Sequence, residues 1–173
     1  MQEIANILMA VIIGFSLIVL TRFVIHKLFN NYYKSVTEIE DNNNIAIAIR
    51  NAGIYLGIGI TMIGTIGDPI KQVYEGLIAM AFVLIAIFIS DKIVFSKIIN
   101  SKEIAKGNIA LAISEFGLFV STGIIAYSSF IGSGPFISSV VFFILGQMVF
   151  ILSALISEYV YKNIKEKFRK PEN

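Results

Sequence analysis

The ten residues Asn44-Ile45-Ala46-Ile47-Ala48-Ile49-Arg50-Asn51-Ala52-Gly53 recur in kind as Asn108-Ile109-Ala110-Leu111-Ala112-Ile113-Ser114-Glu115-Phe116-Gly117, 64 residues further on. The register holds through Gly59/Gly123 and Ile60/Ile124. Each copy follows another apolar stretch, so the repeated unit is a pair of apolar segments. The runs cover Ile4–Leu28, Asn44–Ile66, Ile70–Phe95, Asn108–Phe130 and Phe136–Tyr161. All five reach the length of about 20 residues that a helix needs to cross a hydrocarbon core. They are continuous rather than alternating, which argues against barrel strands. A backbone in lipid must satisfy its polar groups within the segment, which leaves helices.

Composition agrees. The chain is 56% hydrophobic and 15% charged, where soluble domains average about 45–50% and about 25%; mean hydropathy is +0.79. The expected fold is an all-α, polytopic, single membrane domain over residues 1–173 with five transmembrane helices. A tandem, parallel helical-hairpin repeat takes residues 4–66 and 70–130, an extra helix takes 136–161, and a basic tail takes 162–173. The first run is read as a retained span, because Gln2-Glu3 replaces a basic n-region and Thr21-Arg22-Phe23 is no small-residue cleavage site.

Short Gly/Pro turns, Gly67-Asp68-Pro69 and Gly132-Ser133-Gly134-Pro135, separate the second span from the third and the fourth from the fifth. The other connections are longer and polar. Basic residues collect on their side: Arg22, Lys27, Lys34 and Arg50, then Lys92, Lys97, Lys102 and Lys106, then Lys162, Lys165, Lys167, Arg169 and Lys170. The opposite side has Lys71. The positive-inside rule places the N-terminus outside and the C-terminus in the cytoplasm. Both copies then point the same way, unlike the inverted repeats of many transporters. The basic side is expected to meet anionic lipid headgroups, and no nucleic acid is expected as a partner.

A stripe of small residues marks each repeat: Ala46, Arg50, Gly53, Gly57 and Gly64 in the second span, and Ala110, Ser114, Gly117, Ser121 and Ser128 in the fourth. Spacings of three, four and seven keep each stripe on one helical face. Such faces allow close helix packing in lipid, between the two spans or against another copy of the chain; a homo-oligomer is expected. The competing reading is a narrow pore lining. Asn44 and Asn108 begin their helices and read as N-caps, with a ligand site at the two N-termini as the alternative.

The run Glu103-Ile104-Ala105-Lys106-Gly107-Asn108-Ile109-Ala110-Leu111-Ala112-Ile113, followed by Gly117, resembles the signature of family 350 of the domains of unknown function. The resemblance covers most of Ile4 to Phe130. The first copy departs from it: Glu38 lies one residue further from Asn44 than Glu103 does from Asn108, and Asn43 stands where Gly107 does. The resemblance implies a small bacterial or archaeal inner-membrane protein with the domain in tandem. It implies no reaction and no cofactor.

Ionisable residues inside spans are costly and mark candidate functional sites. Arg50 and Glu115 lie at similar depth in the second and fourth spans, with Arg22 and Asp91 near the cytoplasmic ends of the first and third. Together they make a charged layer in the cytoplasmic leaflet. Arg50 and Glu115 are expected to pair across a pseudo-twofold interface, as a buried lock between repeats or as a proton or cation relay; the remaining reading is that the arginines snorkel to lipid phosphates. Glu75 is expected to reach water near the outer end of the third span. Gln147, in the middle of the fifth, reads as an interhelical hydrogen bond. His26 reads as a surface histidine.

The chain has no cysteine, which excludes disulfides and thiolate metal sites. No zinc-ligand pattern, nucleotide-binding glycine loop or Ser/His/Asp set is found, so an enzyme, a metal or a cofactor is not expected. Two functions stand: a small oligomeric channel or transporter-like protein for ions or protons, or a non-catalytic structural or accessory protein of envelope integrity or stress response. The second reading includes a cytoplasmic protein partner recruited by the basic loops.

Overall fold

The computed structural model describes residues 2–28, 43–63, 69–89, 100–131 and 135–168. Its helices are α1 (Gln2–Leu28), α2 (Ile45–Ile63), α3 (Pro69–Ile89), α4 (Asn100–Ala105), α5 (Ile109–Phe130) and α6 (Phe136–Phe168). No strand occurs among the described residues, so the protein is an all-α polytopic membrane protein. Among the described residues four helical stretches are long and apolar enough to cross a bilayer: Glu3–Thr21, Ile45–Ile63, Ile109–Phe130 and Ile137–Ser157. Within α3, Val73–Ala86 is a shorter apolar helix. The expected third span continued to Phe95, and its last part lies outside the described residues.

The helices start where local chemistry stops the preceding chain. α3 begins on Pro69, whose fixed φ suits a first helical turn that needs no N–H partner. Pro135 precedes α6, and its carbonyl accepts the amides of Ser138 and Ser139 at 2.9 and 3.3 Å. α6 runs on to Phe168, so Lys162, Lys165 and Lys167 of the basic segment lie on this helix.

α2 and α5 form the centre and run parallel. The order of their contacts shows this: Asn44 meets Ala105, Arg50 meets Glu115, and Thr61 meets Gly123. Half of the α2 span is buried, against 17% of the α1 span and 11% of the α6 span. α1 packs mainly on α3, α3 touches both central helices, and α6 lies on α5. The outer helices therefore offer lipid their large side chains, Phe15, Phe142 and Val149 among them.

Three apolar clusters stack along the central pair. Ile104 of α4 closes one end, buried with Ala46, Ile47, Leu111 and Ala112. Leu17, Ile54, Ile58, Met62, Val83 and Phe119 join α1, α2, α3 and α5. Ala126, Phe130 and Phe143 hold the other end; Phe82 stacks on Phe143 there with ring centroids 3.8 Å apart.

The short helix α4 lies within the second of the longer polar connections. Its exit explains the family-like motif. Asn108 N–H donates to Glu103 O at 3.1 Å and Gly107 N–H to Ile104 O at 2.9 Å, with Gly107 at φ +89°. This is a Schellman stop, whose left-handed residue favours glycine. At the matching place in the first copy Asn43 has φ 49°, and Asn is the residue that next best tolerates this conformation. The departure at Asn43 thus keeps a positive φ.

Candidate functional site

Each central helix carries one charged side chain, and the signs are opposite. Arg50 lies in the second turn of α2 and Glu115 in the second turn of α5. At a rise of about 1.5 Å per residue both sit about 8–9 Å from their helix starts, and because the helices are parallel they meet. Arg50 Nε and Glu115 Oε2 form an ion pair. Both are sealed, with 2% and 0% of the side chain exposed. The guanidinium carbon also lies 6.0 Å from the centroid of the Phe119 ring, within cation–π range.

Glycine brings the helices close enough for this. A Cβ at Gly53 would come within 2.7 Å of Phe116 Cα, and one at Gly123 within 2.6 Å of Gly57 Cα. Thr61, on the same face, donates its hydroxyl to Gly57 O at 3.1 Å, so no buried donor is left over there. The Asn amides finish the paired entrance. Asn44 Oδ1 accepts the Ile47 amide at 3.3 Å, and Asn108 Oδ1 accepts the Leu111 amide at 3.1 Å. Asn44 Nδ2 then donates to Ala105 O at 2.9 Å, tying α2 to the end of α4. Asn44, Ala105, Lys106 and Gly107 border a pocket of about 390 Å³ beside the two N-termini.

The small-residue stripe of α5 does not face α2. Ser114 and Gly117 are exposed and Ser121 is half-buried; a Cβ at Gly117 would meet nothing within 4 Å. α5 turns Ala112, Glu115, Phe119, Thr122, Gly123 and Ala126 inward instead. Gly53 and Gly57 are at the contact, whereas Gly117 and Ser121 border a groove beside Phe150, Ile151 and Ala154 of α6. The pair is therefore not pseudo-twofold. Gly123 meets Gly57, while Gly59, the residue matching Gly123, has open space around it. The physical reason is the charge: α5 must rotate Glu115 onto Arg50, and that requirement outweighs a close-packing face with no charge on it.

The other members of the charged layer are not brought to the pair by the described geometry. Arg22 belongs to α1 and His26 to the same helix, and Asp91 lies outside the described residues. Glu75 corrects an expectation: it is buried, 4% exposed, rather than reaching water. The signal was its spacing, because Glu75, Ala79 and Val83 fall four apart on one face and all three are buried. Neighbouring Gly76 lies against Leu17 and Met62, so that face is turned onto α1 and α2. Gln147 links α6 to α5 through Thr122, with 3.5 Å between Oε1 and Oγ1, the long limit of a hydrogen bond.

No solved structure matches the chain. A relative described as "UPF0719 transmembrane protein" from Aquifex aeolicus (strain VF5) is 28% identical over 162 residues, covering 88% of this chain. The chain spans 60% of that relative's length. The family described as Domain of Unknown Function (DUF350) matches residues 1–130, which hold α1 to α5 and the whole Arg50–Glu115 site. The multi-pass helical membrane protein described here belongs to the DUF350 family.

Proposed function

We propose that the protein is a small ion- or proton-translocating membrane protein in which Arg50 and Glu115 are the gating element. The observation that carries this reading is the burial of two opposite charges between membrane-crossing helices. Charges at such depth are retained where they mark an ion path or relay. Removing one partner would expose the other to a conducting change in helix packing, so the pair suits a gate that is closed when made.

The proposal includes an inner-membrane setting with the N-terminus outside, supported by the lysines and arginines that flank the loops beside Asn44 and Asn108. It includes a tandem origin for the two hairpins, supported by the parallel course of α2 and α5 and by the positive φ shared by Asn43 and Gly107. A homo-oligomer is also part of it, with Ser114, Gly117 and Ser121 as the face available to a second copy. The deciding experiment is flux in proteoliposomes carrying a pH-sensitive dye, followed by a potassium and sodium series. Wild type is expected to dissipate a gradient and Glu115→Gln to change the rate. Equal leak from wild type, variant and empty vesicles would end the reading.

A second reading is favoured by the sealing of the pair: a structural or accessory protein in which Arg50–Glu115 locks two helices and the basic segments recruit a cytoplasmic partner. It expects no flux, and loss of function when Lys162 to Lys170 is trimmed.

A further inference from the structure

The surroundings of the buried pair restrict which ion it can handle. α2 carries one charged residue, Arg50, and α5 one, Glu115. One turn to either side, the buried side chains of the two helices are Ala46, Ile47, Ile54, Leu111, Ala112 and Phe119, which offer no oxygen. A metal cation leaves water only where several oxygens replace its hydration shell, about six for Mg²⁺ or Ca²⁺. Both helices run unbroken past the pair, so their carbonyls are engaged within the helix. Among the described residues, no group of three or more His, Asp or Glu side chains could hold a metal ion.

Space and charge point the same way. One and two turns beyond Arg50 the helices meet backbone to backbone. A Cβ at Gly53 would lie 2.7 Å from Phe116 Cα, and one at Gly57 2.5 Å from Phe119 O. No hydrated ion fits between backbones that close. A metal cation at Glu115 would also face the Arg50 guanidinium, and an anion at Arg50 would face the Glu115 carboxylate, each at a Coulomb cost that low dielectric enlarges. Arginine keeps its proton in proteins. One event changes the charge of this site without a second ion entering: a proton bonds to a Glu115 oxygen.

We infer that the species moved through this site is the proton, carried as the carboxylic acid of Glu115. The inference rests on the translocation reading and names its substrate. On loading, an aqueous proton forms an O–H bond with a Glu115 carboxylate oxygen, and the ion pair becomes a hydrogen bond from Arg50 to a neutral acid. On release that O–H bond breaks, the proton passes to water on the opposite side, and the ion pair re-forms. No electron moves and no other group is consumed. The Arg50 charge keeps a partner while Glu115 is neutral, because the Phe119 ring centroid lies 6.0 Å from the guanidinium carbon, within cation–π range.

Other ionisable groups on the packed elements stand apart from the pair. Glu75 of α3 adjoins Gly76, which lies against Met62, twelve residues along α2 from Arg50; at about 1.5 Å per residue that is about 18 Å. Glu103 and Lys106 of α4 pair with each other, with 36% and 71% of their side chains exposed. Residues 4–21 of α1 and 137–157 of α6 include no ionisable group, Arg22 and Glu158 coming next in the chain.

Full-length protein in proteoliposomes tests the inference with an internal pH dye and with radioactive sodium and rubidium ions. Under an imposed potential, wild type is expected to move protons and neither metal ion, and Glu115→Gln to lose the proton flux. Glu115→Asp keeps the acid and covers a glutamine variant that does not fold; it is expected to stay proton-selective. Infrared difference spectra on acidification give a second readout. Wild type is expected to gain the carbonyl stretch of a protonated carboxyl, absent in Glu115→Gln and shifted in Glu115→Asp. Sodium or rubidium flux through wild type overturns the inference and leaves translocation standing. Proton flux equal in wild type and Glu115→Gln also overturns it. Flux of all three ions no higher than in empty vesicles ends the translocation reading itself, and this inference with it.

Discussion

Arg50 and Glu115 are the two residues on which the rest turns. Breaking a buried ion pair by removing one partner leaves a charge uncompensated and costs about 3–5 kcal/mol. Glu115→Gln and Arg50→Met are each expected to lower thermal stability in detergent by that amount. The exchange Arg50→Glu with Glu115→Arg should recover most of the loss, and the apolar pair Arg50→Met with Glu115→Leu should be near neutral. If the exchanged protein melts no higher than either single variant, the two residues do not act as a pair. The sealed environment sharpens the expectation, since neither group is screened by water.

At the scale of the helix, facing decides which glycines matter. Gly123 sits against the Gly57 backbone, so Gly123→Val should force α2 and α5 apart at about 1–3 kcal/mol or more. Gly117 looks equivalent in sequence but has open space around it. Gly117→Ala should therefore stabilise the monomer by about 0.5–1 kcal/mol through helix propensity alone. Chemical denaturation of both variants reads the contrast, and similar losses in both would contradict the described rotation of α5. The caps differ in the same way. Asn108→Ala should cost about 1 kcal/mol, and Asn44→Ala more, because Asn44 also holds Ala105.

Element type and span position were legible at this scale. The apolar runs exceed the needed length, and Asn44, Asn108, Pro69 and Pro135 punctuate them, which are local properties. The facing of α5 is not the one that residue size suggests, and the sequence carries a signal for it. Glu115 is the sole carboxylate on that helix, and Phe119, Thr122 and Ala126 follow it at helical spacing. The costliest group sets the rotation, so a stripe chosen for small size pointed to the wrong face. Glu75 was misplaced for a similar reason: depth along a span says nothing about which side of the helix is covered. The helix α4 is six residues long and carries no periodic signal of its own.

For the whole molecule, the parallel course of α2 and α5 means the connections before them lie on one side of the membrane. The chain has no native cysteine, so single cysteines can be placed freely. Cysteines at Ser35 and Ser101 should react together with an impermeant reagent from the cytoplasmic side, and one at Ser133 from the other. Opposite reactivity of the first two would refute the parallel arrangement. The sequence by itself determined that the chain is helical and lies in lipid, because hydrocarbon leaves a backbone no other way to satisfy its hydrogen bonds. Only the tertiary structure decided that the two like helices meet through unlike faces. A repeat specifies equivalent surfaces, but one Arg–Glu contact between them has no symmetric counterpart, and joining those charges across the helices breaks the equivalence.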